Sequence, residues 1–425
     1  MAGSDFIRGR TIVEITTDLV HICVALCIPL AFFSKRAYVT CTLVGVGFFF
    51  ISIIAKRKWP DLTNVFVILV FGYFILQVVS LLWTSNIKRG FSELDTVSAI
   101  LAFPTLLFLS GNARAGIVKF GFSMIVATAS FAGLAMYFMA SKNVLETGQP
   151  LSVLFSSPHY RYVELSAYIN IHPSYLSVLL MGAIIVIVIH IGHGSSRARK
   201  IAYSCLIAYL LFLLFMLMSR GPWIGFVAAT GLTAAAFLRH RKYIFILAVA
   251  LFVLAALILG VSPLRARFID PILNFDQQRD LSVTYHWNSW QCSLELAQTP
   301  RAILIGHGVG DEIDKLVGCY QAHGYDSMVT ERFNAHNAYL SQFVKNGLLG
   351  AVFLIMMIGV FLYEAYRKRN IAAFFFVVLL SVAFLFESFL NVRLGVFFFS
   401  CFVSFFLRFG NYRVAQTEPD TNVVE

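Results

Sequence analysis

The sequence predicts an all-α integral membrane protein of about twelve transmembrane helices with one large outer loop that contains amphipathic helices. Composition is the first reason: of 425 residues 59% are hydrophobic and only 13% charged, where a soluble domain carries roughly a quarter charged residues. Apolar runs are the second, because runs near the ~20 residues needed to cross a hydrocarbon core of ~30 Å recur along most of the chain. The third is the placement of basic clusters, which fall on one side when the runs alternate across a bilayer.

The runs are read at 12–33, 38–55, 63–84, 94–111, 115–139, 173–194, 201–219, 222–238, 243–262, 336–362, 371–389 and 393–409. Basic residues in short loops stay in the cytoplasm. Lys56-Arg57-Lys58, Arg197/Arg199/Lys200, Arg239/Arg241/Lys242 and Arg367-Lys368-Arg369 therefore mark the cytoplasmic face, and both termini are expected there. Lys35-Arg36 and Lys88-Arg89 fall outside, against that rule. The first run is long enough to span and lacks a following small-residue cleavage site, so it is expected to remain as the first helix. The net charge of +11 suits these anchors and an anionic lipid surface. It does not suggest nucleic acid, since no basic stripe interleaves with stacking aromatics in a soluble segment.

Residues 1–425 read as one polytopic membrane domain. Two polar segments, 140–172 and 263–335, are expected outside, and the acidic end 411–425 reads as a disordered tail. The 263–335 segment is too long for a mere connector. In it, Val283, Trp287, Trp290, Leu294 and Ala297 recur at helical spacing, which predicts an amphipathic helix over 282–297, and a second short helix is expected over 311–320. Between them Gly306-His307-Gly308-Val309-Gly310-Asp311 is either an ordinary turn or a phosphate cradle of backbone amides. Five of the seven cysteines lie in predicted spans; Cys292 and Cys319 share the outer loop, as a disulfide or as two free thiols.

Candidate chemistry gathers at the outer boundary. His336 stands where the loop enters the tenth span, with Asn334 expected to cap the helix and Asn337, Tyr339 and Leu340 close behind. An imidazole there is either a proton acceptor for a hydroxyl or a plain interfacial residue. Arg220, in Ser219-Arg220-Gly221-Pro222, is placed to grip phosphate oxygens with two parallel bonds, or simply to snorkel. Arg265, Arg267, Arg279, Arg301, Arg332 and Arg393 are available to join it, and Arg393 is the expected partner of Glu387. His172 and Tyr175, in Ile171-His172-Pro173-Ser174-Tyr175, open the sixth span and face the same surface, with His172 either part of the site or simply a capping donor. No HExxH, CxxC, Walker A or Asp-x-Asp pattern occurs, so no metal site and no cofactor is expected, and soluble nucleotide-sugar chemistry is disfavoured.

Trp83-Thr84-Ser85-Asn86, His172-Pro173-Ser174-Tyr175, Ser219-Arg220-Gly221, the Gly306–Asp311 stretch and, most specifically, His336-Asn337-Ala338-Tyr339-Leu340 with Gly347-Leu348-Leu349-Gly350 resemble the O-antigen ligase and polymerase family of bacterial envelope glycosyltransferases. The resemblance implies a GT-C-like membrane enzyme that moves a glycan from undecaprenyl pyrophosphate to an acceptor at the periplasmic face of the inner membrane. The acceptor is lipid A core in a ligase and another lipid-linked repeat in a polymerase. It also implies His336 as base, with Arg220 and further outer arginines on the pyrophosphate. One departure stands out. Where the family usually places an arginine a turn before the loop-helix tryptophan, this chain has His286, four residues before Trp290. Either Arg279 or Arg265 replaces that ligand, or His286 partly does. A transporter is the competing class, but transporters concentrate charge and broken helices at the midplane of related halves. A structural scaffold would leave His336 and Arg220 without a task.

Overall fold

The computed structural model describes residues 11–157, 160–191, 196–237 and 281–411, together with Gly260 and Arg265. Among the described residues the chain is helical throughout, with no strand. Seven helices among the described residues are long and apolar enough to cross a membrane: Ile12–Phe33, Lys35–Lys56, Val65–Trp83, Ile87–Leu109, Ala115–Glu146, Arg197–Leu217 and Ala338–Arg367. Pro173–Ile189 and Ile371–Ala383 are apolar but shorter. The expected ninth span, 243–262, lies outside the described residues except for Gly260, as do most of 263–280 and the tail beyond residue 411.

Capping residues set the helix starts. Thr11 and Glu14 exchange hydrogen bonds in a capping box. Ser34 ends that helix and caps the next through Ala37 N–H. Asn64 accepts from Phe66 and Val67, and Asn86 accepts from Arg89. This last cap explains why the fourth span starts well before the expected residue 94. Its first stretch, Ile87–Val97, is an amphipathic helix, on which Lys88 is exposed and Arg89 half-buried. Asn370 caps the Ile371–Ala383 helix and also donates to the carbonyls of Phe406 and Leu407, locking the two final hydrophobic segments together. The last segment is not one regular helix: Arg393–Phe397 runs through a π-helical stretch, Phe398–Phe402, into Val403–Phe409.

The described part of 263–335 folds as helices Leu281–Glu295, Pro300–Ile305, Glu312–Ala322 and Asp326–Thr330 around a small core of Cys292, Leu316, Tyr320, Met328 and Ala335. Both expected amphipathic helices are present, each within two residues of its expected ends. Cys292 and Cys319 form a disulfide between them.

The tenth span is broken. Gly347 adopts φ +62, and the helix N-terminal to it, 338–346, meets the rest at a kink. A break exposes backbone carbonyls that must find donors. The Gly306–Asp311 turn supplies them: His307 N–H reaches Val344 O at 2.9 Å and Gly308 N–H reaches Lys345 O at 2.8 Å. A Cβ on Gly347 would lie 2.4 Å from the carbonyl carbon of Leu304, and one on Gly306 would lie 2.5 Å from that of Lys345. Only glycine permits both close approaches.

Candidate active site

Three histidines from distant parts of the chain converge on one carboxylate, Glu387, in the turn after the Ile371–Ala383 helix. His336 Nδ1 is 3.6 Å from Glu387 Oε2, and His172 Nδ1 is 3.8 Å from Oε1. Ser174 Oγ donates to Oε1 at 3.2 Å and shares a hydrogen bond of 3.0 Å with Ser219. The His286 ring lies 4.9 Å from that of His336, and its Nε2–H donates to Phe386 O at 3.0 Å.

Local backbone geometry aims His336. Its φ of +46 is a left-handed conformation that costs a non-glycine residue energy. Asn334 compensates by accepting His336 N–H through its side chain at 2.8 Å, so Asn334 shapes this turn and does not cap the helix. The cap is Asn337, whose Oδ1 accepts from Tyr339 and Leu340. Asn337 N–H in turn donates to Ser388 Oγ at 3.2 Å, and Ala338 N–H to Phe384 O at 2.8 Å. The His336 turn and the Glu387 turn are therefore stitched together.

The electrostatics favour an ionised Glu387. Burial pushes its carboxyl up, but His336, 3.6 Å away, and the nearby rings of His172 and His286 outweigh it and hold the group below the ordinary carboxylate value. His172 goes the other way: burial lowers it, partly offset by Glu387. Its Nδ1 accepts Ser174 N–H at 3.4 Å, consistent with a neutral ring. A carboxylate beyond Nδ1 of His336 favours the tautomer with the proton on Nδ1, which leaves Nε2 as an acceptor for a substrate proton.

Arg220 begins the Arg220–Phe237 helix beside this cluster. Ser219 before it joins the Ser174–Glu387 chain, and Gly221 after it packs so closely on Phe386 that an added Cβ would lie 2.9 Å from the Phe386 Cβ. Tyr175 is buried edge-on against Phe389, with ring centroids 4.8 Å apart, and borders His172. Tyr339 hydrogen-bonds Ser381 O at 2.8 Å and serves packing between two helices.

Two expectations are corrected. Arg393 is not the partner of Glu387; it pairs with Asp95, and the three histidines with Ser174 surround Glu387 instead. The physical reason is direction, since Arg393 starts a new helix whose register carries its side chain toward Ile87–Val97. Nor is the Gly306–Asp311 turn a phosphate cradle. Besides the two amides spent on the broken helix, Gly306 N–H bonds Ala302 O, Val309 N–H bonds Ser80, Gly310 N–H bonds Thr84 and Asp311 N–H bonds Gly308 O. The Asp311 carboxylate then accepts from the amides of Ser85 and Asn86 at 2.8 and 2.7 Å, so two of the sequence motifs are halves of one joint.

Arg265 is exposed at a helical position, while Arg267 and Arg279 lie outside the described residues. Arg301 is exposed, and Arg332 pairs with Asp314. Sequence reasoning missed Lys345, fully buried against Glu93 and Glu312. The signal was available, because an ionisable residue inside an apolar span is rarely accidental.

A buried carboxylate thus backs a histidine at the end of an apolar helix bundle, beside an arginine. Residues 205–355 match the family model of the O-antigen ligases, and this match supports assignment of the chain to the O-antigen ligase family. The matched segment covers about a third of the chain. It includes Arg220, His286 and His336 but neither His172 nor Glu387. No curated protein matches the chain. With seven apolar helices of spanning length, it is a multi-pass membrane protein.

Proposed function

We propose that the protein is an O-antigen ligase that transfers a glycan from undecaprenyl pyrophosphate to a hydroxyl of the lipid A core, at the periplasmic face of the inner membrane. The observation that carries this reading is the His336–Glu387 pair, held by the Asn337–Ser388 contact beside Arg220. In the reaction His336 Nε2 takes the proton of the acceptor hydroxyl as its oxygen attacks the anomeric carbon. The bond to the diphosphate breaks on the opposite face, so the anomeric configuration inverts. Diphosphate is a good leaving group and needs charge stabilisation more than a proton, which Arg220 and a protonated His286 supply without a metal. Glu387 stabilises the imidazolium that forms on His336. The ring contact between His286 and His336 supports His286, ahead of Arg265 or Arg279, as the second diphosphate ligand.

Residues 140–172 and 263–335 are then the periplasmic loops of one polytopic membrane domain. A repeat-unit polymerase would use the same donor machinery, so the acceptor decides. Purified protein in lipid nanodiscs, given a lipid-linked glycan and lipid A core, is expected to yield glycan covalently attached to the core. Joining of two lipid-linked glycans without attachment to the core would establish the polymerase instead. Full activity of His336→Ala in that assay would remove the proposed base and, with it, this mechanism.

A further inference from the structure

A second polar cluster lies beside the site, and the mechanism above leaves it without a task. Lys345, 1% exposed, directs its ammonium at Glu93 Oε2 (2.8 Å), Glu312 Oε2 (3.3 Å) and Asn391 Oδ1 (2.8 Å). An ammonium has three donors and here meets three acceptors. Asn391 is bonded from several sides. Its Oδ1 also accepts from Ser341 Oγ at 3.0 Å, and its Nδ2 donates to Glu312 Oε2 at 2.9 Å. Arg89 lies 3.9 Å from Glu93 Oε1, so two cations face two carboxylates and the cluster balances in charge.

Its place in the chain gives the cluster meaning. Asn391 ends the short 3-10 turn Phe389–Asn391, which directly follows Glu387 and Ser388. The segment 338–346, ahead of the Gly347 break, is thus fastened to the 384–391 turn at two points. Near its start, Asn337 N–H holds Ser388 Oγ and Ala338 N–H holds Phe384 O. From its middle and its end, Ser341 and Lys345 hold Asn391. Glu387 lies in the turn between Phe384 and Asn391, and His336 immediately precedes the fastened segment. Loosening the second fastening would free one side of the turn that carries Glu387. Glu93 and Glu312 bring the Ile87–Val97 and Glu312–Ala322 helices into the same clamp.

We infer that Lys345 and Asn391 are positioning residues of the transferase site: the ammonium, through the Asn391 amide, sets the turn that presents Glu387 to His336. The inference rests on the proposed roles of those two residues. Neither Lys345 nor Asn391 touches substrate in it, so the expected signature is a fall in kcat with unchanged donor recognition by Arg220 and His286.

The decisive variant is Asn391→Ala, which cuts the link to the turn and leaves Lys345 between its two glutamates. In nanodiscs with lipid-linked glycan and lipid A core, it is expected to lower kcat tenfold or more, hold the donor KM within twofold and keep the wild-type thermal midpoint to within a few degrees. Lys345→Met is expected to act the same way. Should it fail to fold with Glu93 and Glu312 unpaired, the Lys345→Met/Glu93→Gln/Glu312→Gln variant removes the charges together and is expected to show the same kcat loss. A wild-type kcat for Asn391→Ala overturns the inference, as does a joint change in kcat and KM or a collapse of the thermal midpoint. The result for His336→Ala separates the two levels: if it is inactive while Asn391→Ala is wild type, only the positioning role falls; if it is active, the proposed base falls.

Discussion

In the proposed mechanism the chemistry depends on how one carboxylate is shared. Glu387 faces His336, His172 and Ser174, so its replacement affects the base without removing it. Loss of the base itself should cost about 10²–10⁴-fold in kcat, and His336→Ala in the nanodisc assay measures it. Glu387→Gln keeps the shape and removes the charge that stabilises the imidazolium; a loss of at least about tenfold in kcat is expected, with donor KM little changed. The same residues set the acid sensitivity of the fold. Glu387 is held below its ordinary value of 4.5, so its contribution to stability is complete above that value and is lost as pH falls through the lower folded value. His172 is held below its ordinary 6.5, so the fold favours its neutral form. Its contribution is complete above 6.5 and is lost as pH falls toward the folded value. Thermal midpoints are therefore expected to decline in two windows on acidification. His172→Ala should reduce the slope just below 6.5, and Glu387→Gln the slope below 4.5, other lowered groups keeping part of each. His286 gives a separate signature. If its cationic form holds diphosphate, donor affinity falls between about pH 5.5 and 8, and His286→Arg, with a permanent charge, flattens that dependence. Equal pH dependence in the two proteins would return the second ligand to Arg265 or Arg279.

At the scale of elements, the broken tenth span is the central device. The Gly347 break separates a short helical segment, which carries the His336 turn at its start, from the long apolar helix that follows, and the Gly306–Asp311 turn is spent on closing that break. Gly347→Ala places a methyl 2.4 Å from the Leu304 carbonyl carbon at a left-handed φ. A destabilisation of about 1–3 kcal/mol is expected from the backbone strain alone, read as a lowered thermal midpoint in detergent. A wild-type midpoint would mean that the segment can straighten. The amphipathic loop helix was legible in sequence because its apolar residues recur with helical period. The break was not, since Gly347-Leu348-Leu349-Gly350 is equally compatible with a continuous helix until the turn packed against it is known. The Glu387 pairing was missed for a related reason. Proximity in sequence favoured Arg393, six residues on, but a helix starting at Arg393 directs that side chain to Asp95.

Across the whole molecule, chemistry and anchoring lie at opposite ends of the same helices. The Ile371–Ala383 helix runs from Asn370, packed on Phe406 and Leu407, to the turn that bears Glu387. Lys56 and Arg408 meet Ser110, Gly111 and Asn112 at the end away from the site. The proposed periplasmic orientation puts the Cys292–Cys319 disulfide in a compartment that permits oxidation. With the native free thiols replaced, Asp326→Cys and Lys58→Cys, both at exposed positions, are expected to react with an impermeant maleimide from opposite sides of the membrane. Labelling of both from one side would overturn the orientation.

By itself the sequence determined that the chain is a helical membrane protein, where most of its apolar helices begin, and that polar residues collect at one boundary around His336 and Arg220. Those features follow from composition, period and capping, all local quantities. Tertiary structure alone decided that His172, His286 and His336 share Glu387, that the glycine-rich turn serves a broken helix, and that Lys345 is neutralised by Glu93 and Glu312. Each of these joins residues dozens to hundreds of positions apart. A buried charge or an exposed carbonyl reveals only that a partner is required; which residue fills the role is settled by the packing that brings one within reach.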